Sequence, residues 1–400
     1  MSRTVTLRRL ICAVFAAMAS PAALAAPFIP ESDSQVLEHL PFAATDPAIR
    51  KLRALNERLS AKPDNLPLAT LVAQGYSELG RTTGDPRYVG YAQAALALWW
   101  NLERPPQEVL LLRAALRQRM HQFDDALADL AAVLGTNPRN AQARLMRATV
   151  LQVQGAYDVA REECRVLQNL TEELVWTTCL ANVNGATGRL RESYEQLRSV
   201  FQKTPGGPPT MQSWVLTSLA EMAARAGMVT EAGAHFRAAL ASDAADYYLL
   251  AAYADFLLDS DRPEDVAALL QEKTAGDPLM LRYALALQAL RSKELPVRIE
   301  QLRDRFAASR LRGDRVHLRE EAGFALHLLN APQTALRLAQ ENWQIQKEPG
   351  DVRILLQAAL AAGDAAAVAA VTDWLRNCRL EDVQLRRLLP ALAMPRSPED

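Results

Sequence analysis

This chain has few of the residues that usually carry chemistry. Among 400 residues there are five histidines and four cysteines. No two of His39, His121, His235, His317 and His327 stand three or four apart, so no helix presents a histidine pair to a metal. His317 and Glu321 could share a helix face, with Glu320 between them, but two ligands make a poor metal site. A glycine-rich phosphate loop, a His-Glu-x-x-His motif and a Gly-x-Ser-x-Gly elbow are all missing. Acid pairs such as Asp124-Asp125 and Glu162-Glu163 are adjacent, which points their carboxylates to different parts of a helix surface. The sequence therefore predicts no catalytic residues, no cofactor and no metal.

Two further shortages narrow the class. Glycine is sparse, at 17 residues, and aromatics make up only 6%. Alanine and leucine dominate instead, a mixture that favours helix throughout. There is also no excess of one charge: Lys plus Arg number 45 and Asp plus Glu 46. Nothing draws such a chain onto nucleic acid or an anionic membrane. Half of the residues are apolar and 23% charged, enough for a large core.

The first 25 residues have signal-peptide form. Arg3, Arg8 and Arg9 make a basic start, residues 10–19 a short apolar stretch, and Ala23-Leu24-Ala25 a small-x-small cleavage site. The apolar run falls short of the ~20 residues a membrane-spanning helix needs, although an uncleaved anchor is the alternative. Arg8-Arg9 is a weak twin-arginine match, and the general secretory route fits better without a cofactor to carry. Cleavage after Ala25 removes three of the 45 basic residues and no acid, leaving 42 against 46, a net charge of −4. The expected location is periplasmic or secreted, with no membrane insertion of the mature chain.

A repeat of ~34 residues runs through what remains. The pairs Ala114/Ala148, Phe123/Tyr157 and Ala126/Ala160 are all 34 apart. Asn137-Pro138 closes one unit, and Asp277-Pro278 is expected to close another. Gly155, Gly188 and Gly227 each follow a predicted first helix, where a C-cap of positive φ belongs. Asp85-Pro86 reads as an N-cap and first-turn pair after a loop over 81–85.

These features resemble the tetratricopeptide-repeat family, whose unit is two antiparallel helices, A and B, with small residues at their crossing. The usual tryptophan at position four is replaced by Leu110, Arg144, Thr177 and Leu216. The resemblance implies an all-α, right-handed α-α superhelix of about seven to eight helix-turn-helix repeats. In such an array each unit touches mainly its neighbours. The expected organisation is a signal peptide over 1–25 and an irregular segment with a helix over 26–65. The solenoid follows over 66–349, then capping helices over 350–390 and a frayed tail over 391–400.

In that family the concave groove is lined by helix A, at unit positions two, five, nine, twelve and thirteen. These positions also share one helical face. The polar candidates are Gln118 and Arg119, Gln142 and Gln152, Asn182, Glu221 and Arg225, and Asp255 and Asp259. The face is rich in amides, which suit an extended peptide backbone, and turns acidic toward Glu221, Asp255 and Asp259, which favours a basic segment. Trp99-Trp100 cannot share one helix face, so one is either an exposed anchor or packing at a repeat boundary.

Three cysteines survive cleavage. Cys164 and Cys179 are equidistant from the predicted turn at Thr171-Glu172, so an oxidising compartment would permit a disulfide between consecutive helices. The alternative is two separate small core residues, with Cys378 buried and unpaired either way.

The sequence thus predicts an exported scaffold or adaptor in an envelope complex, holding a protein or peptide segment in its groove. A chaperone-like holder of exported chains would use the same groove with less selectivity. A helical platform for a cell-wall enzyme is the third reading. The sequence leaves the partner and the oligomeric state open.

Overall fold

A computed structural model describes residues 47–204 and 206–389, which belong to one compact unit. The signal peptide expected over 1–25, the part of the expected irregular segment before residue 47 and the tail expected over 391–400 lie outside the described residues. Every regular element described is helical.

The chain opens with α1 (Pro47–Ala61), α2 (Leu66–Thr83), α3 (Arg87–Ala95) and the short α4 (Ala97–Trp100). Four helix pairs follow: α5 (Gln107–Arg119) with α6 (Phe123–Thr136), α7 (Ala141–Val153) with α8 (Tyr157–Leu167), α9 (Glu173–Gly185) with α10 (Leu190–Lys203), and α11 (Pro209–Arg225) with α12 (Val229–Ser242). The second half continues with α13 (Tyr247–Asp259) and α14 (Pro263–Leu270), then α15 (Asp277–Ala289) and α16 (Leu295–Arg312). α17 (Leu318–Gly323) runs into a π-helical turn, Phe324–Leu328, and pairs with α18 (Pro332–Trp343). α19 (Pro349–Ala362), α20 (Ala365–Cys378) and α21 (Val383–Leu388) end the described chain.

The 34-residue pattern reappears as packing. Ala114, Ala126, Ala148 and Ala160 are essentially sealed from solvent. With a methyl group at each crossing, paired helices approach to the ~8–10 Å of close helix packing. Phe123 and Tyr157 open their B helices as buried rings. Asn65, Asn140, Asp246 and Asp364 cap α2, α7, α13 and α20 by accepting an amide hydrogen from three residues on.

Several boundaries differ from the sequence reading. Asp277-Pro278 opens α15 instead of closing the preceding unit, because proline needs no amide partner in a helix's first turn. α2 continues to Thr83, so the loop expected over 81–85 is shorter, and the following helix begins at Arg87. Asp85 still acts as a cap, its carboxylate accepting the Arg87 amide hydrogen at 2.9 Å. Cys164 of α8 and Cys179 of α9 are joined as a disulfide, with 5.5 Å between their α-carbons.

The largest departure concerns neighbours. The repeats do not touch only the units beside them. Five A–B turns of the first half carry a left-handed residue: Gly84, His121, Gly155, Gly188 and Gly227. Each meets an element of the second half. The Tyr247 ring lies on Gly84, while Arg81 pairs with Asp243 at 2.9 Å and Asp246 at 2.7 Å. His121 faces Glu320, Arg319 and His317. Lys347 lies on Gly155, and its amide donates to the Val153 carbonyl at 2.7 Å. Arg379 lies on Gly188 and Val383 on Gly227. One apolar cluster accordingly spans both halves, holding Tyr157, Cys164 and Leu167 together with Leu355, Leu375 and Leu385. The array closes upon itself along this seam.

Candidate functional site

Closure of the array gives its A helices a common interior. The polar groups there form a ladder from helix to helix. On α11, Glu221 accepts a hydrogen bond from the Tyr248 hydroxyl of α13 at 2.7 Å. Two turns further along α13, Asp255 takes two hydrogen bonds from Arg282 of α15, at 2.8 and 2.5 Å. Arg282 also lies 3.8 Å from Glu320 of α17. Arg319 reaches Glu320 at 3.3 Å, Glu348 at 3.4 Å and Asp351 at 3.6 Å. Asp259, at the end of α13, is clasped by Arg353 of α19 at 2.6 and 2.5 Å.

Local sequence explains how these groups are held. Glu348 and Asp351 form a capping box at the start of α19, each carboxylate accepting the other residue's amide hydrogen. Asn342 and Gln346 donate to Asp351 at 2.9 and 3.1 Å, so its buried oxygen is satisfied. Arg282, only 7% exposed, also donates to the Pro278 carbonyl one turn back on α15.

The electrostatics show a partly compensated interior. Burial works against the Glu320 charge, but Arg319 and Arg282 outweigh it and hold the pKa down at about 2. Burial raises Glu221, with the Tyr248 hydrogen bond and Arg225 opposing. Burial and the neighbouring Asp351 push Glu348 up to about 7. Six carboxyl groups (Glu221, Asp255, Asp259, Glu320, Glu348 and Asp351) thus face four guanidinium groups, Arg225, Arg282, Arg319 and Arg353. Tyr248 shows where water enters. Its surface is 54% accessible, yet desolvation drives its hydroxyl pKa well above the ordinary value. Both hold for a ring that faces a wet space walled by protein on most sides.

Of the residues expected from sequence, Glu221, Asp255 and Asp259 fall in the ladder. Arg225 donates to the Gly185 carbonyl at 3.1 Å and faces Asp382. Arg119 instead lies near Arg81, Glu78 and Asp246 at the seam, where burial lowers its pKa. Gln142 is exposed, and Gln118, Gln152 and Asn182 are half-buried; none hydrogen-bonds to the ladder through its side chain. Trp99 and Trp100 are both half-buried, with Arg113 and Arg117 over the Trp100 ring at 5.9 and 6.0 Å. The cations Arg282, Arg319 and Arg353 were not legible as groove residues, although Arg282 stands 27 residues after Asp255, about one repeat on. Among the described residues no three His, Cys, Asp or Glu side chains are grouped to hold a metal, and no helix is long and apolar enough to cross a membrane.

Comparison with known proteins gives likeness of fold only. No protein-family model and no curated protein matches the chain. A chain of the APC/C hetero-tetramer Cut9-Hcn1 is similar over 78% of this chain at 14% identity, with a TM-score of 0.41; this chain spans about half of it, 52%. Yeast Tom70 is similar over 86% of this chain and 90% of its own, at 14% identity and a TM-score of 0.33. A tetratricopeptide repeat protein from Parabacteroides merdae is similar over 78% and 92%, at 13% identity and a TM-score of 0.26. The tetratricopeptide-repeat resemblance of this all-α array rests on its own residues: the 34-residue spacing, the sealed alanine crossings and the left-handed turn after each of the first A helices.

Proposed function

We propose that this protein is an exported scaffold that binds a basic segment of a partner protein inside the array, as an adaptor in an envelope complex. The observation that carries the reading is the ladder. An interior with more carboxyl than guanidinium groups, open to water at Tyr248, favours an incoming lysine or arginine, which would also draw Glu221 and Glu348 into their charged form. Burial strengthens that preference, because charges attract more strongly out of bulk water. The Cys164–Cys179 disulfide supports export, since such bonds persist in oxidising compartments. A signal peptide over 1–25 is part of the same proposal. The role is binding, without catalysis.

The test is capture from a solubilised envelope extract by the chain lacking residues 1–25, beside a variant carrying Asn182→Ala, Glu221→Gln and Tyr248→Ala. Asp255 is left intact because its loss would strand the buried Arg282. One dominant partner, lost with the variant and with added salt, supports the reading. Equal capture by the variant moves the site elsewhere, and a broad set of unfolded chains replaces the adaptor with a holder.

A further inference from the structure

Wherever an arginine lies over an aromatic ring among the described residues, a carboxylate pairs with it. Arg198 lies over Tyr194, its guanidinium carbon 5.6 Å from the ring centre, and pairs with Glu195. Arg298 lies over Tyr283 at 5.5 Å. There one carboxylate serves both partners. The Tyr283 hydroxyl donates to Glu294 at 3.5 Å, and Arg298 pairs with Glu294 at 3.5 Å. The carboxylate fixes the ring through its hydroxyl and holds the cation on the ring's face.

Tyr248 and Glu221 repeat the first half of this arrangement inside the array. The Tyr248 hydroxyl of α13 donates to Glu221 of α11 at 2.7 Å. The ring itself has no such guest from this chain. Of the nine tyrosines, the other eight each meet another ring, lie under an arginine or pack in an apolar cluster. Tyr248 does none of these among the described residues and is 54% exposed. The nearby cations are engaged elsewhere. Arg319 reaches Glu320, Glu348 and Asp351, and Arg225 donates to the Gly185 carbonyl. Burial raises the Glu221 pKa, which marks a carboxyl group short of positive charge.

Resting on the basic-segment reading above, we propose that the interior takes an arginine side chain of the partner, stacked on the Tyr248 ring and hydrogen-bonded to Glu221, in preference to lysine. A guanidinium is planar and weakly hydrated. It lies flat on a ring while its N–H groups reach a carboxylate at the ring's edge. An ammonium is a compact, strongly hydrated charge and gains less from the same surface. The walls that desolvate the Tyr248 hydroxyl favour this contact, because a cation on a ring is held more strongly away from water. Glu348 faces both Tyr248 and Glu221 and adds negative charge once ionised.

The probes are blocked glycine peptides carrying one central arginine, lysine or citrulline. They are titrated at low salt into the full chain, isotope-labelled at its tyrosine rings. The Tyr248 signal is assigned by its loss in Tyr248→Phe, and calorimetry compares affinities across variants. The arginine peptide should shift the Tyr248 signal and bind about tenfold tighter than the lysine peptide, and the uncharged citrulline peptide should not bind. Tyr248→Phe keeps the ring and should keep the preference. Tyr248→Leu should abolish the preference while leaving lysine binding within about twofold, and that lysine binding shows the variant is folded. Equal affinity for arginine and lysine, or a preference that survives Tyr248→Leu, would overturn the inference and leave the basic-segment reading standing. Binding of neither cationic peptide would overturn both.

Discussion

The Lys347 amide donates to the Val153 carbonyl at 2.7 Å, joining the end of α7 to the segment before α19. Two repeat units far apart in sequence are therefore one structural unit. In an array where repeats touch only their neighbours, stability is a sum along a line. Here, damage at one end should be felt at the turns of the first half.

Glycine turns on the seam give a direct check. Gly188 and Gly363 both have positive φ, 81° and 69°, but only Gly188 is met by a distant element. Gly363→Ala should cost about 1–2 kcal/mol, the strain of a left-handed alanine. Gly188→Ala should cost about 1–3 kcal/mol more, because its Cβ would meet Arg379. Urea unfolding of the two variants measures the difference.

Removing Arg282 should be destabilising. Its buried guanidinium pairs with half-exposed Asp255 and lies near buried Glu320. Arg282→Ala leaves Asp255 unpaired and Glu320 with Arg319 alone, and should cost about 1–3 kcal/mol. Arg282→Met together with Asp255→Leu removes one charge of each sign and should recover part of the loss. Thermal unfolding at neutral pH checks both.

Stability should depend on pH in two opposite ways. Burial lowers the His121 pKa from 6.5 to about 4. The unfolded chain then binds the proton first, so stability is full above 6.5 and falls as pH drops toward 4. At pH 5 the His121 contribution to that loss is on the order of 2 kcal/mol. His121→Asn, which tolerates the left-handed turn, should flatten the acid decline. Glu348 behaves in reverse. Its folded pKa is raised from 4.5 to about 7, so its stabilising effect is present below 4.5 and lost as pH rises through 7. Glu348→Gln should remove that decline on the alkaline side while keeping the capping geometry. Urea midpoints across pH 4–8 separate the two.

Reduction of the Cys164–Cys179 bond should lower stability by about 3 kcal/mol, the chain-entropy value for a closed loop of this length. Mass analysis of the native chain should show two hydrogens fewer than the fully reduced form. Replacing both residues with alanine should reproduce the loss and abolish the response to reductant.

How far the sequence was legible depends on range. Ala114 and Ala148 reveal the repeat because each crossing poses the same local problem and receives the same small residue. Cys164 and Cys179 could be paired from their equal distance to one turn. The seam left no such mark. Lys347 and Arg379 lie in irregular stretches between helices, where no period governs residue choice. Their partners are backbone groups and glycines, which look alike in any turn. The interior ladder was half legible for the same reason. The acids on α11 and α13 could be placed by helical position, while Arg319, Glu348 and Arg353 came from units whose pattern had faded. The π-helical turn at Phe324–Leu328 lies in one of those units and shifts its register.

The central claim is that a partner enters the interior of the array. Replacing Tyr248 with a photo-cross-linking phenylalanine analogue tests it most directly, with the same analogue at exposed Val229 on α12 as control. The account predicts that irradiation in the native envelope joins one partner to position 248, that a Glu221→Gln background weakens the adduct, and that position 229 gives none. Adducts at 229 without adducts at 248 would place the binding surface outside the array and contradict it.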